Sequence, residues 1–314
     1  MKKILVIGSL NMDITLRMER APEAGETLTA DSLITSPGGK GANQAYAAGK
    51  LGGDVMMLGA VGQDAYGEEL CHNLASVGVD ISGIRKIAGV STGTAVIFVE
   101  HTGENRIVLV SGANSMVDRA YIDEHMDKIR DCEIVMLQLE IPLDTVIYAA
   151  KRAKEMGKTV ILDPAPAIPN ISAELLSCVD YIKPNETELN MILTGKTDSL
   201  QFDEALEQVQ KLGVKNVWVT LGSQGVFLKE SGRDGELIPS VRVTAVDTTA
   251  AGDTFTGYFL AGLCRGLPIR QVLTISAKAA AIDVSRKGAV PSIPSWGEVI
   301  TAITTTIEQV KEDV

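Results

Sequence analysis

Residues 2–9, KKILVIGS, set four branched apolar side chains in succession between two lysines and a Gly-Ser pair. Such a run suits a strand buried on both faces, and its competing reading is the apolar segment of a secretory leader. Asn11 and Asp13 end the apolar stretch within a few residues, with no cleavage-site pattern behind them, so the reading is a first strand. Runs of the same kind recur as DVMMLGAVG (54–62), EIVMLQLE (133–140), TVILDP (159–164), VDYIKP (179–184) and NVWVTLG (216–222). Between them, Leu143–Met156 and Phe202–Leu212 carry apolar residues near helical spacing. Buried strands alternating with helices predict an α/β fold, with a mostly parallel sheet covered on both faces. In such a sheet ligands gather at the carboxyl ends of the strands.

Two segments break the rhythm. Residues 14–36 alternate loosely around APEAGE, and residues 92–110 read as a hairpin, TAVIFVE and NRIVLVS flanking HTGE. They form either a small separate sheet, a candidate lid, or an edge extension of the main sheet. With no internal repeat, low-complexity tract or Pro/Ser-rich linker, residues 1–314 read as a single domain carrying these inserts.

A net charge of −11 argues against broad binding to nucleic acid or anionic membrane. A nucleotide remains open, because backbone N–H groups hold phosphate in acidic proteins as well. Cys71, Cys132, Cys178 and Cys264 are widely spaced without a CxxC pair, which fits reduced thiols better than disulfides or zinc. No stretch approaches the roughly 18–20 apolar residues of a membrane helix, and the expected location is the cytoplasm.

The strand ends repeat one theme. Asn11 and Asp13, two apart, face one side of an extended segment and suit a pair of vicinal hydroxyls, or else cap a local turn. Gly38, Gly39 and Gly41 precede a helix expected to start near Ala42, with Lys40 and Asn43 as donors. This loop is neither a dinucleotide fingerprint nor a Walker A motif, and a plain turn is its other reading. Glu140 closes a hydrophobic strand. Asn185 and Glu188 can contact a ligand or form a capping box, and Thr220–Gly225 can line a nucleotide or make a hairpin turn.

AVDTTAAGDTFTGYF, residues 245–259, carries one acid, Asp253, after a run stripped of bulk. A helix starting near Gly252 leaves the N–H groups of Ala250, Ala251, Gly252 and Asp253 unpaired, an anion site at a positive dipole end. Asp253 beside it can accept a proton from an attacking hydroxyl. A plain first-turn acid would not explain the small residues before it. His72, His101 and His125 lie far apart, and neither HExxH nor GxSxG occurs, so zinc hydrolysis and a serine triad are excluded.

GSLNMD (8–13), GGKGANQA (38–45), PNETE (184–188), DTTAAGDTF (247–255) and SRKGAVPSIP (285–294), in that order, resemble the PfkB carbohydrate kinases from about Lys3 to Ile293. The resemblance implies a ribokinase-like three-layer α/β/α fold with a small β-sheet lid from about 14–36 and 92–110. The implied reaction moves the γ-phosphoryl group of ATP to the 5-hydroxyl of D-ribose. Its alternatives are another sugar acceptor, such as 2-deoxyribose or a related pentose or hexose, and a non-catalytic sugar or nucleotide sensor. By the same resemblance Asn11, Asp13, Gly39, Lys40, Gly41, Ala42, Asn43 and Glu140 hold the sugar. Asp253 is the base, and Ala250, Ala251 and Gly252 form the anion hole. Asn185 and the loop Thr220, Leu221, Gly222, Ser223, Gln224, Gly225 bind ATP, with Glu188 placing Mg²⁺ through water. A monovalent cation, K⁺, falls to the Asp247 side chain, main-chain oxygens of Thr249, Asp283, Arg286 and Gly288, and the Ser292 hydroxyl. The implied lid pairs two subunits into a homodimer. Two positions depart from the family pattern: Tyr258 replaces a small residue, and Ala277 replaces a polar residue beside the adenine.

Overall fold

The computed structural model describes residues 1–247, 250–286 and 292–302. In chain order its strands are β1 (Lys3–Ile7), β2 (Asn11–Met18), β3 (Ser32–Gly38), β4 (Asp54–Gly62), β5 (Asp80–Ile87), β6 (Gly93–Glu100) and β7 (Asn105–Val110). There follow β8 (Ile134–Leu137), β9 (Thr159–Leu162), β10 (Tyr181–Ile182), β11 (Asn216–Thr220), β12 (Gly225–Glu230) and β13 (Glu236–Pro239). Nine of them form one sheet in the order β13-β12-β11-β10-β9-β8-β1-β4-β5. Pairing is parallel from β5 across to β11 and antiparallel for β12 and β13.

Strand β1 shows how its uninterrupted apolar run serves two layers. Leu5 and Ile7 belong to the core layer on one face, which also holds Ile129, Val146, Leu189 and Leu206. Ile4 and Val6 belong to the layer on the other face, with Ala45 of helix Lys40–Lys50 and Phe259 of helix Ala251–Cys264. Period-two alternation in an all-apolar strand therefore builds a helix–sheet–helix sandwich. Helix Ala251–Cys264 lies close on helix Lys40–Lys50, because a Cβ added to Gly257 would strike the Ala47 side chain and backbone. That closeness brings Asn43, Gln44 and Asp253 together.

The irregular segments form a separate four-stranded sheet, ordered β3-β2-β6-β7, so the edge-extension reading is set aside. Strand β2 leaves the main body immediately after β1 and carries Asn11 and Asp13 on one face. Entry into β6 is tethered by Asp64, which accepts from the Thr92 backbone N–H at 2.8 Å and the Thr92 hydroxyl at 2.5 Å. Several strands escape sequence reading: β5, β12 and β13 lack the long apolar run of the central strands. All four cysteines are unpaired thiols. Among the described residues no helix is long and apolar enough to cross a membrane.

Candidate active site

Asp253 is buried in the first turn of helix Ala251–Cys264, which starts one residue earlier than the sequence suggests. Ala250, its N-cap, adopts a left-handed conformation (φ 60°) and supplies no side-chain cap. The first intrahelical bond shown runs from the Thr254 N–H to the Ala250 carbonyl at 2.8 Å. The N–H groups before it therefore stay open at the positive end of the dipole, beside the small residues Ala250, Ala251 and Gly252.

The carboxylate of Asp253 is held from both sides. Asn43 Nδ2 donates to Oδ2 at 3.0 Å and Gln44 Nε2 donates to Oδ1 at 3.0 Å. Gln44 Nε2 also donates to Asp163 Oδ2 at 2.8 Å, while Gln138 Nε2 donates to Gln44 Oε1 at 2.7 Å. Lys183 Nζ completes the chain 3.1 Å from Asp163 Oδ2. Gln44, Gln138, Asp163 and Lys183 were all missed from sequence; Gln44 meets Gln138 and Asp163 across more than ninety residues, which nothing in the sequence marks.

Helix Lys40–Lys50 begins at Lys40, two residues before the expected Ala42, because Gly39 takes the N-cap with φ 88°. The start of this helix binds Glu140: Lys40 N–H donates to Oε2 at 3.0 Å and the Ser9 hydroxyl donates to the same oxygen at 2.5 Å. Ser9 in turn accepts from the Gly41 N–H at 3.4 Å. A Cβ at Gly41 would stand 2.7 Å from the Ser9 nitrogen, so glycine permits this contact. Ala42 is buried and belongs to the core layer on this face of the sheet.

Asn11 and Asp13 reach this region along β2. Asn114 fixes Asn11 by donating to its Oδ1 at 2.8 Å and to the Leu10 carbonyl at 3.1 Å. Gly38 on β3 and Gly93 on β6 make the room, since a Cβ at either would collide with Asp13 or Asn11. Burial raises the Asp13 carboxyl to about 7, with the charges of Glu140 and Asp253 adding to the rise and Lys40 opposing it. Burial pulls the Lys40 ammonium down, yet Asp253, Asp163, Glu140 and Glu188 outweigh it and raise Lys40 overall. Lys40 is thus the cation of an acid-lined cleft.

A cavity of about 800 Å³ opens beside the helix N-terminus, lined by Ala251, Gly252, Asn185 and the loop of Thr220, Gly222, Ser223, Gln224 and Gly225. That loop is also the turn between antiparallel β11 and β12, so the hairpin reading is realised in a loop that lines the cavity. Leu221 is the exception: it packs against the sheet core and does not line the cavity. Ala277, Ala280, Phe255 and Val243 give the cavity an apolar wall. Asn185 and Glu188 form the capping box, Asn185 N–H to Glu188 Oε2 at 2.8 Å and Glu188 N–H to Asn185 Oδ1 at 2.7 Å. Burial and Asp163 nonetheless raise the Glu188 carboxyl, with Lys183 opposing.

Behind the helix, Asp283 Oδ1 accepts from Ser292 Oγ at 2.6 Å and Thr254 Oγ1 at 3.1 Å, while Oδ2 is buried without a partner. Burial lifts Asp283 to about 6, with Asp247 and Asp253 adding and the Ser292 and Thr254 hydroxyls opposing. Arg286 donates to the Ser292 carbonyl at 3.4 Å and pairs with Glu298 at 2.6 Å. Thr249 and Gly288 lie outside the described residues. Tyr258 finds its purpose here: its hydroxyl donates to the Pro294 carbonyl at 2.9 Å, and its ring stacks on Trp296 at 5.8 Å.

Comparison with known proteins places these features in a family. The family description "pfkB family carbohydrate kinase" matches residues 1–296. The chain is 43% identical to a ribokinase of Schizosaccharomyces pombe, over 95% of this chain and 97% of that one. It is 35% identical to a deoxyribokinase of Salmonella typhi, over 93% of this chain and 95% of that one. Among solved structures, Arabidopsis thaliana ribokinase complexed with ribose and ATP superposes with a TM-score of 0.89 at 38% identity, covering 96% of this chain and 98% of that one. A carbohydrate kinase is a phosphotransferase with an alcohol acceptor, and the chain belongs to the pfkB family of carbohydrate kinases.

Proposed function

We propose that this protein is an ATP-dependent ribokinase that phosphorylates the 5-hydroxyl of D-ribose. The observation that carries the reading is the juxtaposition of one buried, doubly hydrogen-bonded carboxylate, Asp253, with an uncapped helix N-terminus. The acceptor hydroxyl gives its proton to Asp253 while its oxygen bonds to the γ-phosphorus. The bond from that phosphorus to the β–γ bridging oxygen breaks, and its electron pair leaves with ADP. Main-chain N–H groups of Ala251 and Gly252 offset charge on the phosphoryl oxygens. Asn11, Asp13, Lys40, Asn43 and Glu140 supply the sugar pocket, mixing acceptors with donors as a polyol requires.

The nucleotide occupies the cavity of about 800 Å³, with its base against Ala277 and Phe255, so no polar side chain at 277 reads the adenine. Mg²⁺ accompanying the nucleotide fits the carboxylate donors Glu188 and Asp163, whose Oδ1 is buried without a protein partner. When bound, Mg²⁺ neutralises phosphate charge. A monovalent cation fits the Asp283 region, where one buried carboxylate oxygen of Asp283 has no hydrogen-bond partner among the described residues. There, the main-chain oxygens of Asp283 and Arg286, the Ser292 hydroxyl and Asp247 are the described donors.

The small sheet closes over the sugar as a lid, because it carries Asn11 and Asp13. Its exposed Ile34, Ile107 and Leu109, which the register sets on one face, form an apolar surface that supports pairing of two subunits. Sedimentation would show a dimer that Ile107→Lys dissociates. A coupled ADP-release assay over a panel of sugars, with and without K⁺, tests the function. Ribose is expected as best substrate, with faster turnover in K⁺; a stronger preference for 2-deoxyribose would assign the chain to the deoxyribokinase reading.

A further inference from the structure

Lys183 stands where the proposed chemistry leaves it without a task. It follows β10, and its backbone N–H continues the ladder to the Leu162 carbonyl at 3.0 Å, which fixes the start of its side chain. The side chain is only 7% exposed, and Nζ meets Asp163 Oδ2 at 3.1 Å. The far side of that ammonium faces the anion hole: a Cβ built on Gly252 would lie 3.4 Å from Lys183 Nζ. Two positive features, an ammonium and a helix N-terminus, thus converge on one small space. They repel each other unless an anion stands between them.

Asp163 does not cancel this convergence. Its Oδ2 is shared between Lys183 and the Gln44 amide, so one carboxylate oxygen serves both a cation and a neutral donor. One Nζ hydrogen satisfies the ion pair, and a lysine has three. The buried pair also has a geometric consequence. Asp163 locks Lys183 on one side and, through Gln44, Asp253 on the other, so the cation and the base are held by one carboxylate.

We propose that Lys183 grips the γ-phosphoryl group of the nucleotide, with its ammonium acting together with the Ala251 and Gly252 N–H groups and Asp163 serving as its positioning residue. The proposal rests on reading the start of helix Ala251–Cys264 as the phosphoryl cradle. A point charge there stabilises the phosphoryl oxygens through transfer without adding a group that must move. Its contact is with the group ADP lacks, so the prediction separates two nucleotides that share every other atom of the diphosphate end.

The test compares binding of ADP and of a non-hydrolysable γ-imido ATP analogue, each with Mg²⁺, by calorimetry on the wild-type protein and on Lys183→Met. Expected is a loss of about 10-fold or more in analogue affinity with ADP affinity nearly unchanged, and a fall in kcat of about 100-fold with little change in KM for ribose. Lys183→Arg keeps the positive charge beside Asp163 and is expected to retain more of the analogue affinity than Lys183→Met. Wild-type analogue affinity in Lys183→Met would overturn the proposal and leave Lys183 a mere counter-ion of Asp163. Equal losses for ADP and the analogue would overturn it as well. Gly252→Val reports on the underlying reading separately. If Gly252→Val keeps full turnover, the cradle itself is misplaced; if it abolishes turnover while Lys183→Met is normal, only the role of Lys183 fails.

Discussion

Gln44 Nε2 stands 3.0 Å from Asp253 Oδ1, and the same nitrogen stands 2.8 Å from Asp163 Oδ2. One amide therefore spends both hydrogens on two carboxylates, and Gln138 fixes its orientation by donating to its oxygen. The carboxylate proposed as the base is held by a side chain outside the proposed sugar pocket. That separates aiming the proton acceptor from accepting the proton.

Gln44→Leu should reveal the aiming role. It leaves Asp163 and Asp253 each short of a buried donor, which costs about 1–3 kcal/mol of stability. The expected kinetic signature is a drop in kcat of about 10-fold with KM for ribose nearly unchanged, seen in steady-state assays beside a denaturant titration. Unaltered kcat would show that Asn43 alone positions Asp253.

As a proposed sugar ligand, Asp13 should make ribose binding depend on pH. Its carboxyl titrates at about 7 in the folded protein against an ordinary value of 3.8. Between those two values the folded chain holds a proton that the unfolded chain has released, so the Asp13 contribution to stability falls as pH rises from about 4 to about 7. Asp13→Asn removes that loss and should be more stable than wild type above pH 7, by up to about 4 kcal/mol, with the gain vanishing near pH 4. In the wild type, KM for ribose should fall as pH rises through 7 and the carboxylate becomes the stronger acceptor. A flat KM profile in the wild type would remove Asp13 from the sugar pocket.

Gly257→Val tests the helix contact that assembles the site. The added side chain meets Ala47 on helix Lys40–Lys50 with no flexible neighbour to yield. Overpacking of this kind costs about 1–3 kcal/mol, and the shift of Asn43 and Gln44 relative to Asp253 should lower kcat as well. Thermal melts and kinetics on the same sample check both effects.

The layered fold was legible because β1 and its neighbours are apolar without interruption, the mark of burial on two faces. Asn11, Asp13 and Asp253 were legible because each sits at a strand or helix end, where the fold class directs attention. Asp163 and Lys183 were passed over at similar ends because single charged residues after a strand carry no spacing signal. Their meaning comes from a 3.1 Å pair across neighbouring strands and from Gly252 alongside. For Asn185 and Glu188 the sequence offered capping or ligand binding; the capping box is formed, and Asn185 also lines the cavity. Tyr258 looked anomalous only because Trp296 and Pro294, its partners, lie more than thirty residues on.

Turnover of Asp253→Asn with ribose and ATP, followed by ADP release beside calorimetric ribose binding, addresses the central assignment most directly. Asn keeps the shape of the side chain but cannot take up the hydroxyl proton. The predicted result is a kcat lower by about 100- to 10,000-fold with ribose affinity within a few-fold of wild type. Near-normal turnover in that variant would contradict the assignment of Asp253 as the base.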